Sequence, residues 1–321
     1  MAAVSNVTIP EIIDLRQLRE KDLDPLLDEE GLTWRSLFNW DSGASSDLVR
    51  RFVKIQALNG FALVQGGRVI GYSYYVCEDR KSLIGDLYLL REFATVENED
   101  LLLGAVLQAL FNTPYMLRVE AQLLMMHGPF ERPMPFSRYL KVHPRNFMMT
   151  DLADSADLPG GRAMETHLFE PWTDRRQDEA AKLIAQAYEG HVDGTINDQY
   201  RSVSGAKRFL LNIVQYPGCG SFFGPASYVA LNASGELVGI SLASLVSEDS
   251  GHITQICVSP EERKTGTGYE MLRRSLLSLA EHGCRKTSLT VTASNQDAIR
   301  LYQRMGFRAM RRFAAYVWEG F

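Results

Sequence analysis

Residues 253–272 read ITQICVSPEERKTGTGYEML. An apolar, β-rich run ends at Val258 and Pro260 stops it. Gly266 and Gly268 follow, and an amphipathic helix begins at once, carrying Met271, Leu272, Leu276, Leu277 and Leu279. Such a junction turns successive backbone N–H groups toward one point at a helix N-terminus, where the macrodipole favours an anion. The glycines let the backbone approach a phosphate with no Cβ in the way. Arg263 and Lys264 add positive charge at the rim. No Gly-Lys-Ser/Thr follows, so this is not a Walker A loop. Met271 stands where a dinucleotide fingerprint would need its third glycine.

A second element, LTVTASNQDAIRLYQRMGF, occupies residues 289–307. Its strand runs into a short helix from Asn295, capped by Gly306. Ala298 is small enough for a ligand to lie against the helix. Asn295 and Tyr302 are seven residues apart, two turns along one face. Tyr302 is then either a phenol aimed at the ligand or a packed core tyrosine.

Together the two stretches resemble the GNAT superfamily of N-acetyltransferases, and the resemblance covers about 163–319. It implies a strand that splays from its neighbour with acyl-CoA, here acetyl-CoA, in the gap. On that pattern the backbone at Ile256, Cys257 and Val258 holds the pantetheine and the acyl carbonyl. Arg263, Lys264, Thr265, Gly266, Thr267 and Gly268 bind the pyrophosphate. Asn295 and Ala298 face the cofactor arm, and Tyr302 protonates the departing CoA thiolate. The reaction implied is direct attack of a primary amine on the acyl-CoA carbonyl. The rival function is a non-catalytic acyl-CoA-binding regulatory module.

The attacking amine needs a proton acceptor. His252 is the first candidate for that base. It stands eleven residues before Arg263, about where histone-type members of the superfamily carry a glutamate. An ordinary imidazole titrates near ~6.5. The alternative for His252 is a strand histidine that is packed or solvent-facing. Glu189, His191 and Asp193, in the loop after the first helix of this half, are further candidates. Cys257 raises a covalent acyl-enzyme, but buried strand cysteines are usually inert.

Outward from these stretches, the second half reads β-α-α-β-β-β-α-β-α-β-β, a mixed α/β layer protein. Strands are expected at 165–169, 227–231, 237–246 and 252–258, and helices from Asp174 and over 206–216, the latter ended by Pro217-Gly218. The first half repeats the pattern. GRVIGYS (67–73) matches GELVGIS (235–241), and the strand openings Ile84 and Ile253 keep nearly the same offset. This is a two-copy duplication. The fold expected is two tandem GNAT-like domains, each a mixed, mostly antiparallel sheet with flanking helices. Their bounds are 1–150 and 163–321, joined by the polar Pro-Gly-Gly segment 151–162. The first copy lacks the glycine loop. At 91–100 it reads REFATVENED, whose carboxylates Glu92, Glu97, Glu99 and Asp100 would repel a pyrophosphate. A degenerate copy beside an active copy is thus expected, with the cofactor site in the second.

Composition is that of an ordinary globular protein. The chain has 321 residues, 45% hydrophobic and 23% charged, enough apolar material for two cores. The net charge of −5 lies entirely in the first half, since 163–321 carries 17 basic and 17 acidic residues. No basic run interleaved with aromatics suggests nucleic acid. No apolar stretch approaches the ~20 residues of a membrane span, and no secretory leader is visible. The four cysteines are scattered and the six histidines unclustered, which gives neither a zinc pattern nor a disulfide framework. A cytoplasmic protein with reduced thiols is expected. The acceptor is a small-molecule or peptide amine, contacted by loops 190–205 and 217–225. The acidic first half favours a cationic one.

Overall fold

The computed structural model describes residues 9–153, 155–216 and 218–321. Pro217, Asp154 of the polar segment and the first eight residues lie outside the described residues. The first half carries strands β1 (Glu11–Asp14), β2 (Gly60–Gln65), β3 (Arg68–Glu78), β4 (Lys81–Leu89), β5 (Arg118–Gln122) and β6 (Leu140–Asp151). Its helices are α1 (Asp24–Phe38), α2 (Gly43–Lys54) and α3 (Val96–Phe111). The second half carries β7 (Leu168–Pro171), β8 (Ser221–Phe222), β9 (Tyr228–Leu231), β10 (Leu237–Ser247), β11 (Ser250–Val258), β12 (Lys286–Thr292) and β13 (Arg308–Glu319). Its helices are α4 (Gln177–Ala187), α5 (Asp193–Ile196), α6 (Val203–Gln215), α7 (Thr267–Glu281) and α8 (Gln296–Arg304).

The chain forms two compact units. One holds residues up to 37, 42–144 and 313–321; the other holds 38–41 and 145–312. In the first unit β1, β2, β3 and β4 pair antiparallel in sequence order, and β4 meets β5 in parallel. The last partner of β5 is β13, with Ala315 opposite Gln122. In the second unit β7, β9, β10 and β11 pair antiparallel and β11 meets β12 in parallel, with β6 on the far side of β12. Each unit therefore closes its sheet with a strand encoded by the other half. The division falls inside β6 and β13 because hydrogen bonds and side-chain packing, not composition, decide where a strand belongs. The fold is the mixed α/β arrangement with largely antiparallel sheets that the sequence pattern implies.

Local chemistry explains most departures from the expected elements. Strand β1 ends at Asp14, whose carboxylate accepts from the Arg16 N–H at 2.9 Å and turns the chain at Leu15. The strand expected at 165–169 starts later, at Leu168, because residues 162–165 form a 3₁₀ turn. Helix α6 begins at Val203, where the Ser202 hydroxyl accepts from the Gly205 N–H at 3.0 Å. The last strand, β13, runs unbroken over Arg308–Glu319.

The apolar stripe of α7 is buried as its spacing requires. Met271, Leu272, Leu276 and Leu279 pack on the sheet, each stabilising the fold by roughly 1.5–3 kcal/mol. The likeness of the two units also reaches the polar core. Glu99 and Glu270 both stand at the fourth position of their helices, the ones that follow β4 and β11, and both are fully buried. Glu99 accepts from the N–H of His127 and Gly128 and pairs with Arg132. Glu270 accepts from the Gly161 N–H and pairs with Arg273 and Arg274. This corrects one electrostatic expectation. Of the four first-half carboxylates, Glu99 is turned inward, Asp100 is paired with Arg132 and Glu92 with Arg68.

Candidate active site

Strand β11 pairs with β12 only over Ser250–Ile253, while β10 follows it on the other edge to Val258. From Thr254 onward β11 has one neighbour, so alternate backbone N–H and C=O groups are left facing a gap. A cleft of about 1390 Å³ opens there. Ile256, Cys257 and Val258 form one wall; Asn295, Ala298 and Leu301 of α8 form the other.

The loop Ser259–Gly266 closes one end. The Ser259 N–H donates to the Val238 carbonyl at 2.8 Å and Pro260 opens a 3₁₀ turn. Lys264 (φ 68°) and Gly266 (φ 102°) are both left-handed, which curls the backbone inward. A left-handed lysine costs about 1–2 kcal/mol, strain of the kind kept at functional sites. Gly266 is the N-cap of α7 and offers no side-chain cap. Among the described residues, no group of the chain accepts from the N–H of Gly268 or Tyr269. Those donors, with the helix dipole behind them, suit an anion.

Arg263, Lys264, Gly266 and Gly268 line the cleft. The Arg263 guanidinium donates to the Ala187 carbonyl at 2.7 Å and so ties the loop to the end of α4. Thr265 and Thr267 do not reach the cleft. Their hydroxyls lie 2.8 Å apart and Thr265 donates to the Glu262 carbonyl, so they brace the loop from within. The Asn295 side chain caps α8, accepting from the Ala298 N–H at 3.3 Å.

Tyr302 is only 7% exposed and packs against Phe307. Burial raises its pKa, and the Asp193 carboxylate raises it further, so the phenol stays protonated. Cys257 lines the cleft, and burial pushes its thiol up to about 12. A neutral thiol is a poor nucleophile.

His252 is not at the cleft, which corrects its assignment as the base. It is 4% exposed, with Nδ1 2.9 Å from the Ser288 hydroxyl and the ring between Trp40 and Phe147. Burial, helped by the charge of Arg145, drives its pKa down to about 3. Glu189 is exposed and off the cleft wall. His191 is on the wall, but its Nδ1 accepts from the Asp193 N–H at 3.2 Å.

A polar cluster behind the wall was not read from the sequence. Gln255 donates to the Tyr188 hydroxyl at 2.9 Å and accepts from Tyr200 at 3.2 Å, while the two tyrosine rings stack at 4.3 Å. Asp193 accepts from the Thr292 hydroxyl, and its charge raises the pKa of Tyr188, Tyr200 and Tyr302 alike. No periodicity marks these residues; only the parting of two strands brings them together.

Residues 196–307 match the model of the acetyltransferase (GNAT) family. A mycothiol acetyltransferase of Acidimicrobium ferrooxidans is 33% identical over 103 residues, covering 31% of this chain and 33% of that protein. A mycothiol acetyltransferase of Thermobispora bispora is 27% identical over 168 residues, half of each chain. The matched region thus spans at most half the length of these relatives. The fold of a tandem GNAT protein from the clavulanic acid biosynthesis pathway superposes with a TM-score of 0.57, covering 97% of this chain and 98% of that one at 17% identity.

Proposed function

We propose that this chain, which carries a GNAT acetyltransferase domain, is an acetyl-CoA-dependent N-acetyltransferase acting on a primary amine of a small molecule or peptide. Its active site lies in the domain of residues 163–321, and the first half is a degenerate copy without a working cofactor site. The observation that carries this reading is the parting of β11 from β12 after Ile253, directly before a loop that ends on an uncapped helix.

The residues present fit acetyl-CoA. The uncapped N-terminus of α7, the left-handed Lys264–Gly266 turn and the missing Cβ at Gly266 and Gly268 suit a pyrophosphate. The exposed edge of Ile256, Cys257 and Val258 suits an amide-bearing arm, and Ala298 leaves room beside it. When bound, acetyl-CoA supplies an acyl group activated as a thioester.

Backbone N–H groups of the unpaired edge near Val258 would be the donors facing the acyl carbonyl oxygen. Asp193 takes the place first given to His252, and because it stands behind the cleft wall with Tyr188 and Tyr200, its carboxylate would accept a proton from the acceptor amine through a water. Tyr302, buried beside the cleft and not on its wall, would hold the proton that the CoA sulfur needs. The high pKa of that phenol keeps the proton available at neutral pH. Protons balance, since the one gained at Asp193 equals the one lost at Tyr302.

Both matched relatives are named as acetyltransferases, which supports acetyl as the group transferred. A cytoplasmic setting, where acetyl-CoA is made and used, belongs to the same reading. Among the described residues, no helix is long and apolar enough to cross a membrane. The test is an amine-acceptor screen that reads released CoA thiol. Absence of any calorimetric signal with acetyl-CoA would overturn the cofactor assignment. Tight binding with no turnover across the screen would favour the regulatory module instead.

A further inference from the structure

Strand β12 presents different chemistry on its two faces. Leu289 and Val291 join the core cluster of Leu272 and Leu276 from α7 and Ile299 from α8. Alternation therefore puts Thr290 and Thr292 on the opposite face. Each hydroxyl there holds a charged group, and the two charges have opposite signs. Thr292 donates to the Asp193 carboxylate. Thr290 accepts from Nη2 of Arg145 at 3.1 Å. Arg145 lies on β6 directly opposite Thr292, so its side chain shares that face. Two threonines, two residues apart, thus bring a cation and an anion to one patch of the second unit.

The two charges do not pair with each other. Among the described residues Arg145 has no ion-pair partner, and the acceptor it meets is the neutral Thr290 hydroxyl. Its Nε is buried and meets no acceptor. Buried donors are normally met, so this guanidinium is set for an acceptor that the chain does not supply. Asp193 has Nδ1 of His191 at 3.6 Å. Both Asp193 and Arg145 are only half-buried, which leaves them open to a solute.

The same two charges act on the phenols. Burial sets the high pKa of Tyr200 and Tyr302; Asp193 raises both further and Arg145 pulls both down. Burial also raises the Cys219 thiol, and Arg145 again opposes it. Tyr200 and Cys219 belong to the loops 190–205 and 217–225, the ones expected to contact the acceptor. Arg145 is therefore within electrostatic reach of both loops.

We propose that Arg145 binds the carboxylate of the acceptor, and that the acceptor is an amino acid or short peptide whose amine lies toward Asp193. The assignment deepens the N-acetyltransferase reading above and rests on it. One positive and one negative group, held apart, complement a zwitterion. A polyamine would be repelled by Arg145 and a phosphate ester by Asp193. The planar guanidinium offers a carboxylate a fork of N–H donors.

Steady-state assays on the full chain with acetyl-CoA test it, with L-amino acids and dipeptides beside their C-terminal amides as acceptors and released CoA thiol as the readout. The amide keeps the amine and removes the negative charge. The best acid should exceed its amide by about 10-fold or more in kcat/KM. Arg145→Gln should erase most of that preference by lowering kcat/KM for the acid about 10- to 100-fold, chiefly through KM. Arg145→Lys, which keeps the charge but not the fork, should keep part of the preference. Amides used as well as acids by the unsubstituted protein would overturn the proposal and leave the N-acetyltransferase reading intact. So would an Arg145→Gln protein that binds acetyl-CoA normally in calorimetry yet is slowed with acid and amide by the same factor. Release of no CoA with any acid, amide or other amine would overturn the N-acetyltransferase reading, and this proposal with it.

Discussion

Thr95 and Gly266 hold the same place in the two units, each the N-cap of the helix that follows the parting strand, and they treat that helix end in opposite ways. The Thr95 hydroxyl accepts from the Asn98 N–H at 3.2 Å and closes the end of α3. Gly266 puts nothing over the end of α7 and takes a left-handed φ of 102°. One helix end is closed by its N-cap side chain; the other has only the Thr265 hydroxyl near the Thr267 N–H, at 3.4 Å.

Gly266→Thr should therefore remove the phosphate site. The left-handed backbone disfavours any L side chain, and a hydroxyl there would compete for the N–H groups the pyrophosphate needs. Acetyl-CoA binding should weaken by at least about 10-fold in calorimetry, with the fold retained by circular dichroism. Undiminished affinity would show that the pyrophosphate lies elsewhere.

Tyr302→Phe removes one oxygen from a packed ring. The expected outcome is a fall in kcat of about 10²–10⁴-fold with little change in KM for acetyl-CoA, as for loss of a general acid. Steady-state rates with a good acceptor decide it. Unchanged kcat would return Tyr302 to a purely structural role.

Asp193→Asn keeps the Thr292 contact within reach of the amide oxygen but removes the negative charge beside the phenols. Turnover near pH 7 should drop by roughly 10²-fold or more. It should recover partly as pH rises, since hydroxide can then take the proton that Asp193 would have accepted. A pH–rate profile that merely scales down would argue against proton transfer at Asp193.

His252 should matter for stability and not for turnover. Its folded pKa, about 3, lies below the ordinary value of 6.5, so the neutral form is the one the fold accepts. The stability tied to it is complete above pH ~6.5 and is lost progressively as pH falls toward 3, by up to a few kcal/mol. His252→Leu should show a shallower loss of denaturation midpoint across that window and leave kcat per folded molecule within about twofold. A large kcat defect in that variant would restore the histidine to the mechanism.

Cys257→Ala should keep most of the turnover, because the raised thiol pKa leaves almost no thiolate near neutrality. Intact-mass measurement after mixing with acetyl-CoA should find no acetyl adduct on the unsubstituted protein. A stoichiometric adduct lost in the alanine variant would replace direct transfer with a covalent route.

The chemistry that depends on local backbone was legible in the linear sequence. The stop at Pro260, the glycines of the loop, the apolar stripe of α7 and the Asn295 cap act over a few residues, and each was readable from spacing. The same holds for the missing glycine loop at 91–100, which has a self-capped helix in its place. Side-chain orientation was less legible. His252 and Gln255 are three apart on one strand, yet one is shut in with Trp40 and the other reaches Tyr188 and Tyr200 behind the cleft. Distance along the chain from Arg263 could not separate them.

The sequence by itself determined that one architecture is written twice and that only the second copy keeps an open helix end, because both follow from short-range patterns of glycine, proline and apolar spacing. Only the tertiary structure decided which strands complete each sheet. It also decided that Gly161 and Arg162 belong to the cleft wall and that Asp193, not His252, stands among the phenols. Those outcomes depend on hydrogen bonds and burial between residues some tens to more than a hundred positions apart, and no local pattern encodes such contacts.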